Sequence, residues 1–173
     1  MCRQRARWFI FVVCFLMATM TACSKIKGYE QPIVVDFECD ANIQYKDMQM
    51  EGHITRVTTG MMKLEITSPD TIKGLVMEWD GAGISVTLNG VTFQVEPESL
   101  PVSGLGKSLL DVLDSAQNLQ KIEGKVTDNG LVISGQGQNG TYQMISDPDN
   151  GHLKSISVPD LNLIVIIKNF VSA

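Results

Sequence analysis

Side chains that build metal sites and nucleophilic active sites are scarce in this chain. Its 173 residues include 4 cysteines and 2 histidines, the latter at His53 and His152. Cys2 and Cys14 lie in an apolar leader, so too few thiols and imidazoles remain for a Cys/His metal site. The sequence motifs of serine hydrolases, zinc peptidases and phosphate-binding loops are also missing. We therefore predict no catalytic residues, no metal site and no cofactor.

Positive charge is scarce as well. The chain has 14 basic and 19 acidic side chains, a formal net charge of −5, and Arg3, Arg5 and Arg7 all lie in the leader. The remainder is therefore more acidic still, which argues against nucleic acid as a partner and against electrostatic adhesion to anionic lipid. Attachment to a membrane would have to come from acyl chains.

No apolar run is long enough for a spanning helix, which needs about 20 residues. Trp8–Ala22 is shorter and follows a basic segment, a layout typical of an export signal. The leader ends in Met20-Thr21-Ala22-Cys23, which resembles the lipobox of bacterial lipoproteins. The resemblance implies that Cys23 carries a diacylglyceryl group and becomes the mature N-terminus. The alternative is an ordinary secretory signal with a chance cysteine.

The rest of the chain is short enough for one domain. We predict a signal peptide at residues 1–22, a lipidated tether at 23–31 and a single domain at 32–173. The predicted location is extracytoplasmic, with the chain anchored to the cell membrane through acylated Cys23.

The domain has the alternation of half-buried strands. From Val35 to Tyr45 apolar and polar residues alternate strictly, and the same period of two recurs down the chain. Apolar runs are separated by dipeptides that favour tight hairpins. These are Asp80-Gly81, Asn89-Gly90, Asn129-Gly130, Asn139-Gly140 and Asn150-Gly151. The pattern predicts a mainly β fold, an antiparallel meander of about ten or eleven strands.

One segment has helical periodicity instead. Apolar residues recur every three or four positions at Leu105, Leu109, Val112, Leu113, Ala116 and Leu119. We predict a helix over 103–120 with Ser103 as N-cap; the alternative is a start nearer Lys107, because Gly104 and Gly106 weaken the first turn. An amphipathic helix within a β meander needs an apolar surface, and the concave face of a curved sheet would supply it.

This order of elements resembles the LolA, LolB and LppX group of lipoprotein and lipid carriers. The likeness lies in the strand and turn pattern of Phe37–Gly81, "FECDANIQYKDMQMEGHITRVTTGMMKLEITSPDTIKGLVMEWDG", and of Asp147–Phe170, "DPDNGHLKSISVPDLNLIVIIKNF". The resemblance implies an unclosed half-barrel covered by helix, with a cavity for a lipid or similar amphiphile. It implies no catalytic residue.

Methionine and aromatic residues crowd the first half of the domain and suit a cavity for varied apolar ligands. We predict that the cavity is lined by Phe37, Met50, Leu64, Met77, Trp79, Phe93, Leu109 and Leu113. The alternative is that these residues simply fill a core. Cys39, on the apolar face of its strand, is expected to be buried and unreactive.

The remaining polar features are expected to be structural. We interpret Asp36, Glu38 and Asp40 as a solvated strand face, and the two histidines as surface residues. Asp147–Gly151 resembles the start of a calcium loop but lacks the terminal acid, so a hairpin tip is favoured.

Two functions follow as hypotheses. The first is a membrane-anchored, extracytoplasmic protein that binds a lipid between sheet and helix. The second is a non-catalytic interaction module that tethers or regulates a cell-envelope enzyme, through a sheet edge or the acidic face of Asp36, Glu38 and Asp40.

Overall fold

The computed structural model describes residues 27–29, 33–34, 36–81, 83–95, 101–117 and 122–172. The predicted leader and Cys23 lie outside these residues. Within them are twelve strands, one α-helix and a short 3₁₀ turn at Pro159–Leu161. The first seven strands are β1 (Lys27–Tyr29), β2 (Phe37–Tyr45), β3 (Met48–Thr58), β4 (Met61–Ser68), β5 (Val76–Asp80), β6 (Ile84–Leu88) and β7 (Val91–Val95). After the helix α1 (Pro101–Gln117) come β8 (Ile122–Thr127), β9 (Gly130–Gly137), β10 (Gly140–Ser146), β11 (Leu153–Val158) and β12 (Leu163–Ser172).

The strands form one antiparallel sheet that does not close. Its spatial order is β1-β8-β9-β10-β11-β12-β2-β3-β4-β5-β6-β7. The predicted mainly β fold with an open sheet and one helix is therefore confirmed. The chain makes two meanders, β2 to β7 and β8 to β12, rather than the single succession that the turns predicted. The last strand joins them by lying beside β2.

The predicted tether contributes to the sheet. Lys27–Tyr29 pairs antiparallel with Ile122–Gly124 of β8, so part of the segment expected to be a polar linker is a strand. The polar composition of residues 24–31 gave no period-two signal for it.

The hairpins use left-handed backbone where the sequence predicts it most clearly. Asn89 has φ of 52° and Gly90 of 79°, the conformation that a two-residue primed turn requires. The turn between β2 and β3 has Lys46 in the same region, with φ of 55°. No glycine or asparagine marks that turn in the sequence.

Alternation gives the sheet two different faces. On β2, Phe37, Cys39, Ala41, Ile43 and Tyr45 are buried, while the residues between them are exposed or half-buried. The face that these five residues share, which α1 covers, is called the inner face, and the opposite one is the outer face.

Helix α1 links the two meanders and packs mainly against β9 and β4. It begins at Pro101, before either of the predicted starts, and both Gly104 and Gly106 are helical. Proline is well suited to a first helical turn, where its missing N–H costs no hydrogen bond. Within the described residues, no helix is long and apolar enough to cross a membrane.

Candidate functional site

The predicted cavity residues come together with one exception. Seven of them belong to one buried cluster between the inner face and α1. These are Phe37, Met50, Leu64, Met77, Trp79, Leu109 and Leu113. The helix contributes five buried apolar side chains, at Leu105, Leu109, Val112, Leu113 and Ala116. Leu119, the sixth predicted member of its apolar face, lies outside the described residues.

Phe93 is the exception. It lies on the inner face, since it pairs with Val86, but its side chain is 57% exposed. It stands on β7, the edge strand of the sheet among the described residues.

The closest approach of helix to sheet is at Gly106. A Cβ built there would stand 1.9 Å from Cη2 of Trp79, so the indole ring lies directly against the helix backbone. Only glycine allows this approach. The indole Nε1 is buried and has no hydrogen-bond partner.

A buried arginine holds the other end of the helix. Arg56 lies on the inner face of β3, 1% exposed, and its Nη2 donates to Asp114 Oδ1 at 2.7 Å and to Gln117 Oε1 at 3.0 Å. The hydroxyl of Thr59 donates to the same Gln117 oxygen at 2.7 Å, and the Gly60 N–H lies 3.2 Å from Asp114 Oδ2. These five residues are called the Arg56 clamp.

The clamp explains how a cationic side chain is tolerated inside an apolar core. A buried charge is costly unless it is paired and hydrogen-bonded. Asp114, on the helix, supplies the opposite charge, and its side chain is 24% exposed, so one end of the pair meets solvent. The Arg56 guanidinium still leaves Nε and Nη1 buried without a partner.

The clamp was not predicted, although the sequence contains a signal for it. Met50, Gly52 and Ile54 share one face of β3, and the same period of two places Arg56 on that face. Asp114 and Gln117 are three residues apart on a helix and so lie side by side. An arginine in register with a buried strand face predicts an acidic partner on the element that covers it.

Cys39 behaves as predicted. It is buried on the inner face, and burial, followed by the nearby Asp40 carboxylate, raises the pKa of its thiol to about 12. The expected burial of Cys39 is confirmed, and the raised pKa of its thiol supports the prediction that it is unreactive.

The outer face carries an exposed polar cluster around Asp40. Asp40 Oδ1 lies 3.0 Å from His53 Nδ1, and its Oδ2 accepts a hydrogen bond from Asn169 Nδ2 at 2.8 Å. These contacts, with Asn169 first and His53 second, lower the pKa of the Asp40 carboxyl. Both Asp40 and His53 are well exposed, so solvent screens the pair.

The outer face also has a groove of about 390 Å³ where β4 ends. Its lining is Asn42, Ile43, Gln44, Gln49, Met50, Glu51, Ser68, Ile164 and Ile166. It was not predicted, because its polar side chains read as an ordinary solvated strand face.

The other polar candidates have structural roles. The Asp147 carboxylate accepts from the Asp149 N–H at 2.9 Å and lies 3.2 Å from Lys154 Nζ. The hydrogen bond from the Asp149 N–H is the main cause of a lowered pKa of the Asp147 carboxyl, and Lys154 is the second cause. His152 stacks on Phe170, with ring centroids 4.6 Å apart. In the part of the chain that the structure describes, no group of three acidic, thiol or imidazole side chains is placed to hold a metal.

The site is thus an open antiparallel sheet with an apolar inner face, covered by one helix that an arginine clamp and a glycine–tryptophan contact hold in place. No family model matches the chain, and no curated protein matches it. Among solved structures, the chain is similar to a LolA superfamily protein from Nitrosomonas europaea. That match has 8% sequence identity and a TM-score of 0.43, and it covers 91% of this chain and 93% of the other.

Proposed function

We propose that this protein is a lipid-anchored, extracytoplasmic binding protein that holds an acyl chain or similar amphiphile between the inner face and α1. It has no catalytic role in this proposal. The observation that carries it is the way α1 covers the sheet. Among the described residues α1 shares no backbone hydrogen bond with any strand, so its N-terminal part can move off the sheet without breaking the ladder while the Arg56 clamp holds its C-terminal part.

The energetic basis is exchange of apolar contacts. The five buried apolar side chains of α1 and a bound alkyl chain compete for the same inner face. An alkyl chain gains about 0.8 kcal/mol per buried methylene, so a chain of ten or more carbons offsets the loss of several helix contacts. The methionines at positions 50, 62 and 77 give this surface the adaptability that varied chains require.

The first test is native mass spectrometry of residues 24–173 purified from cells without detergent. We expect a reproducible adduct of lipid mass that disappears under denaturing conditions. A clean apo mass, together with no uptake of either a fluorescent fatty acid or a neutral fluorescent monoacylglycerol, would contradict lipid binding.

The helix is tested by a charge on its buried face. Leu109→Asp places an unpaired carboxylate against the inner face, and we expect fatty-acid uptake to fall at least tenfold or the domain to lose several kcal/mol of stability. Ser115→Asp, at a half-buried position of the same helix, is the matched control and should change both little. Unchanged uptake and stability in Leu109→Asp would rule out the helix as a cover.

Anchoring rests on the leader and on Cys23 alone. In the full chain expressed in a bacterium, Cys23→Ala should abolish incorporation of labelled palmitate and move the protein from the membrane fraction to the soluble one. Cys39→Ala is the control and should leave both unchanged. Equal labelling of the Cys23→Ala variant would overturn the anchor.

One observation favours the second candidate function, an interaction module for a cell-envelope protein. The β7 edge presents Val91 and Phe93, both more than half exposed, beside backbone groups that a further strand would pair. The acidic face is a weaker candidate, because Asp40 is already bound to His53 and Asn169. Capture of one envelope protein by the wild type but not by Phe93→Lys would favour the module.

A further inference from the structure

The Arg56 guanidinium has hydrogen-bonding capacity that the protein does not use. A guanidinium carries five N–H donors. Nη2 is engaged by Asp114 and Gln117, whereas Nε and Nη1 are buried and have no acceptor. Buried polar groups are almost always paired, and an unpaired one costs free energy. Unused donors of this kind indicate where an acceptor from outside the chain would bind.

Their position coincides with the proposed lipid site. On the sheet, Arg56 pairs with Phe37 on one side and with Met62 on the other, and Met62 pairs with Trp79. Phe37, Met62 and Trp79 belong to the same buried cluster as the apolar side chains of α1. A head group that reached Arg56 would therefore have its acyl chain against the inner face.

Charge selects the kind of acceptor. Asp114 lies 2.7 Å from Arg56 and already balances its charge. A second anion in the same low-dielectric space would add an uncompensated charge, which is costly. A neutral oxygen would satisfy the free N–H groups without that cost.

We propose that Arg56 Nε and Nη1 bind the carbonyl oxygen of a neutral acyl ester whose alkyl chain lies between the inner face and α1. This inference rests on the proposed lipid-binding function and specifies its ligand class. Arg56 has two roles in it, since Nη2 holds the helix while the other two nitrogens contact the head group.

The test compares two ligands that differ in one carbonyl. Monooleoylglycerol and its ether analogue 1-O-oleylglycerol have the same chain and the same glycerol head. Their affinities for residues 24–173 are measured by displacement of a neutral apolar dye, N-phenyl-1-naphthylamine. We expect the ester to bind about tenfold more tightly, as loss of one hydrogen bond to a charged donor predicts. Equal affinities would overturn the proposal.

Two variants assign the difference to Arg56. Arg56→Met/Asp114→Leu replaces the pair by apolar side chains of similar volume, a change that is often tolerated, and it should bind ester and ether equally. Arg56→Lys keeps a positive charge beside Asp114 but lacks the planar set of N–H donors, so it should lose most of the preference for the ester. It serves as an independent test if the double variant does not fold. An ester preference that survives in Arg56→Lys would contradict the assignment.

Two further measurements distinguish failure of the ester contact at Arg56 from failure of lipid binding itself. Trp79→Phe removes the other unpaired donor, the indole N–H, but keeps a ring against Gly106. This variant should retain the preference for the ester. Loss of the preference would show that Trp79, and not Arg56, binds the carbonyl oxygen. Oleate is the charged competitor, and binding tighter than the ester would overturn the argument for a neutral head. If ester, ether and oleate all fail to bind, lipid binding itself is wrong.

Discussion

The inner face has a covered part, whose side chains are buried, and an uncovered part at β7, where Phe93 is exposed. One row of side chains across the sheet runs through both parts. Its members pair in sequence from β2 to β7: Cys39, Ile54, Leu64, Met77, Val86 and Phe93. All six are apolar and share one face. The first five are buried, Val86 being 6% exposed, and then Phe93 is 57% exposed.

Alternation and burial are therefore separate properties of a strand. Alternation decides which face a side chain shares, because successive residues of a strand point to opposite sides. Burial depends on what lies over that face: on β7, Val95 is half-buried and packs against the apolar cluster, whereas Phe93 is exposed. A period-two pattern therefore predicts the orientation of Phe93 correctly and leaves its exposure open.

The largest expected difference between the two parts is in thiol reactivity. Cys39 is the only cysteine of residues 24–173, and with a pKa of about 12 its thiolate is about a thousandfold rarer at pH 8 than that of an ordinary exposed cysteine. A thiol placed at the uncovered end by Phe93→Cys should react at least that much faster with a disulfide reagent. The rates follow from stopped-flow absorbance of the variant and the wild type.

The same experiment can contradict the expected difference in reactivity. If Cys39 of the native domain reacts as fast as the thiol of Phe93→Cys, the covered part opens frequently. Addition of a bound lipid would then be expected to slow only the Cys39 reaction. The Cys39→Ala/Phe93→Cys variant confirms which thiol is measured.

Truncation of side chains should show the second largest difference. Leu64→Ala leaves a cavity under α1 and should lower the free energy of unfolding by about 2–5 kcal/mol. Phe93→Ala removes an exposed ring from the end of the same row and should cost less than about 1 kcal/mol. Urea unfolding followed by circular dichroism measures both, and equal losses would mean that the uncovered part is packed as well as the covered part.

The smallest expected effect is at the contact between α1 and Trp79. Gly106→Ala forces the ring or the helix to move, which should cost about 1–3 kcal/mol. Gly104→Ala is the matched control, because its Cβ would meet only Tyr45 Oη at 3.4 Å, and the gain in helix propensity should stabilise it by up to about 1 kcal/mol. Thermal unfolding that shifts both variants in the same direction would show that α1 is not tightly seated on Trp79.

The sequence predicted what depends on local pattern. The strand faces follow from period two, the Asn89-Gly90 hairpin from turn chemistry, and the buried face of α1 from spacing at Leu105, Leu109 and Val112. The pairing of β12 with β2 did not follow from the sequence, because it joins segments far apart in the chain and no turn dipeptide records it. For the same reason the meeting of Arg56 with Asp114 could not be specified, although the faces of both residues could.

The site was predicted in part. Seven of the eight proposed lining residues lie together, because each sits on an apolar face that the pattern identifies. The roles of Arg56 and Gly106 were not predicted. Arg56 interrupts the apolar alternation of its strand, and Gly106 is a residue of low helix propensity. Both residues have their roles only because another element approaches them.

The position of β12 beside β2 has a consequence for the folding of the domain. Leu163 pairs with Tyr45 and Ser172 with Phe37, so the middle of the sheet joins two segments separated by more than a hundred positions in the chain. Pairings over such distances form slowly. During synthesis or translocation, which proceed from the N-terminus, β2 has no neighbour on one side until Leu163–Ser172 is available. A chain that lacks β12 thus exposes a second strand edge, which favours association with other chains until β12 pairs with β2.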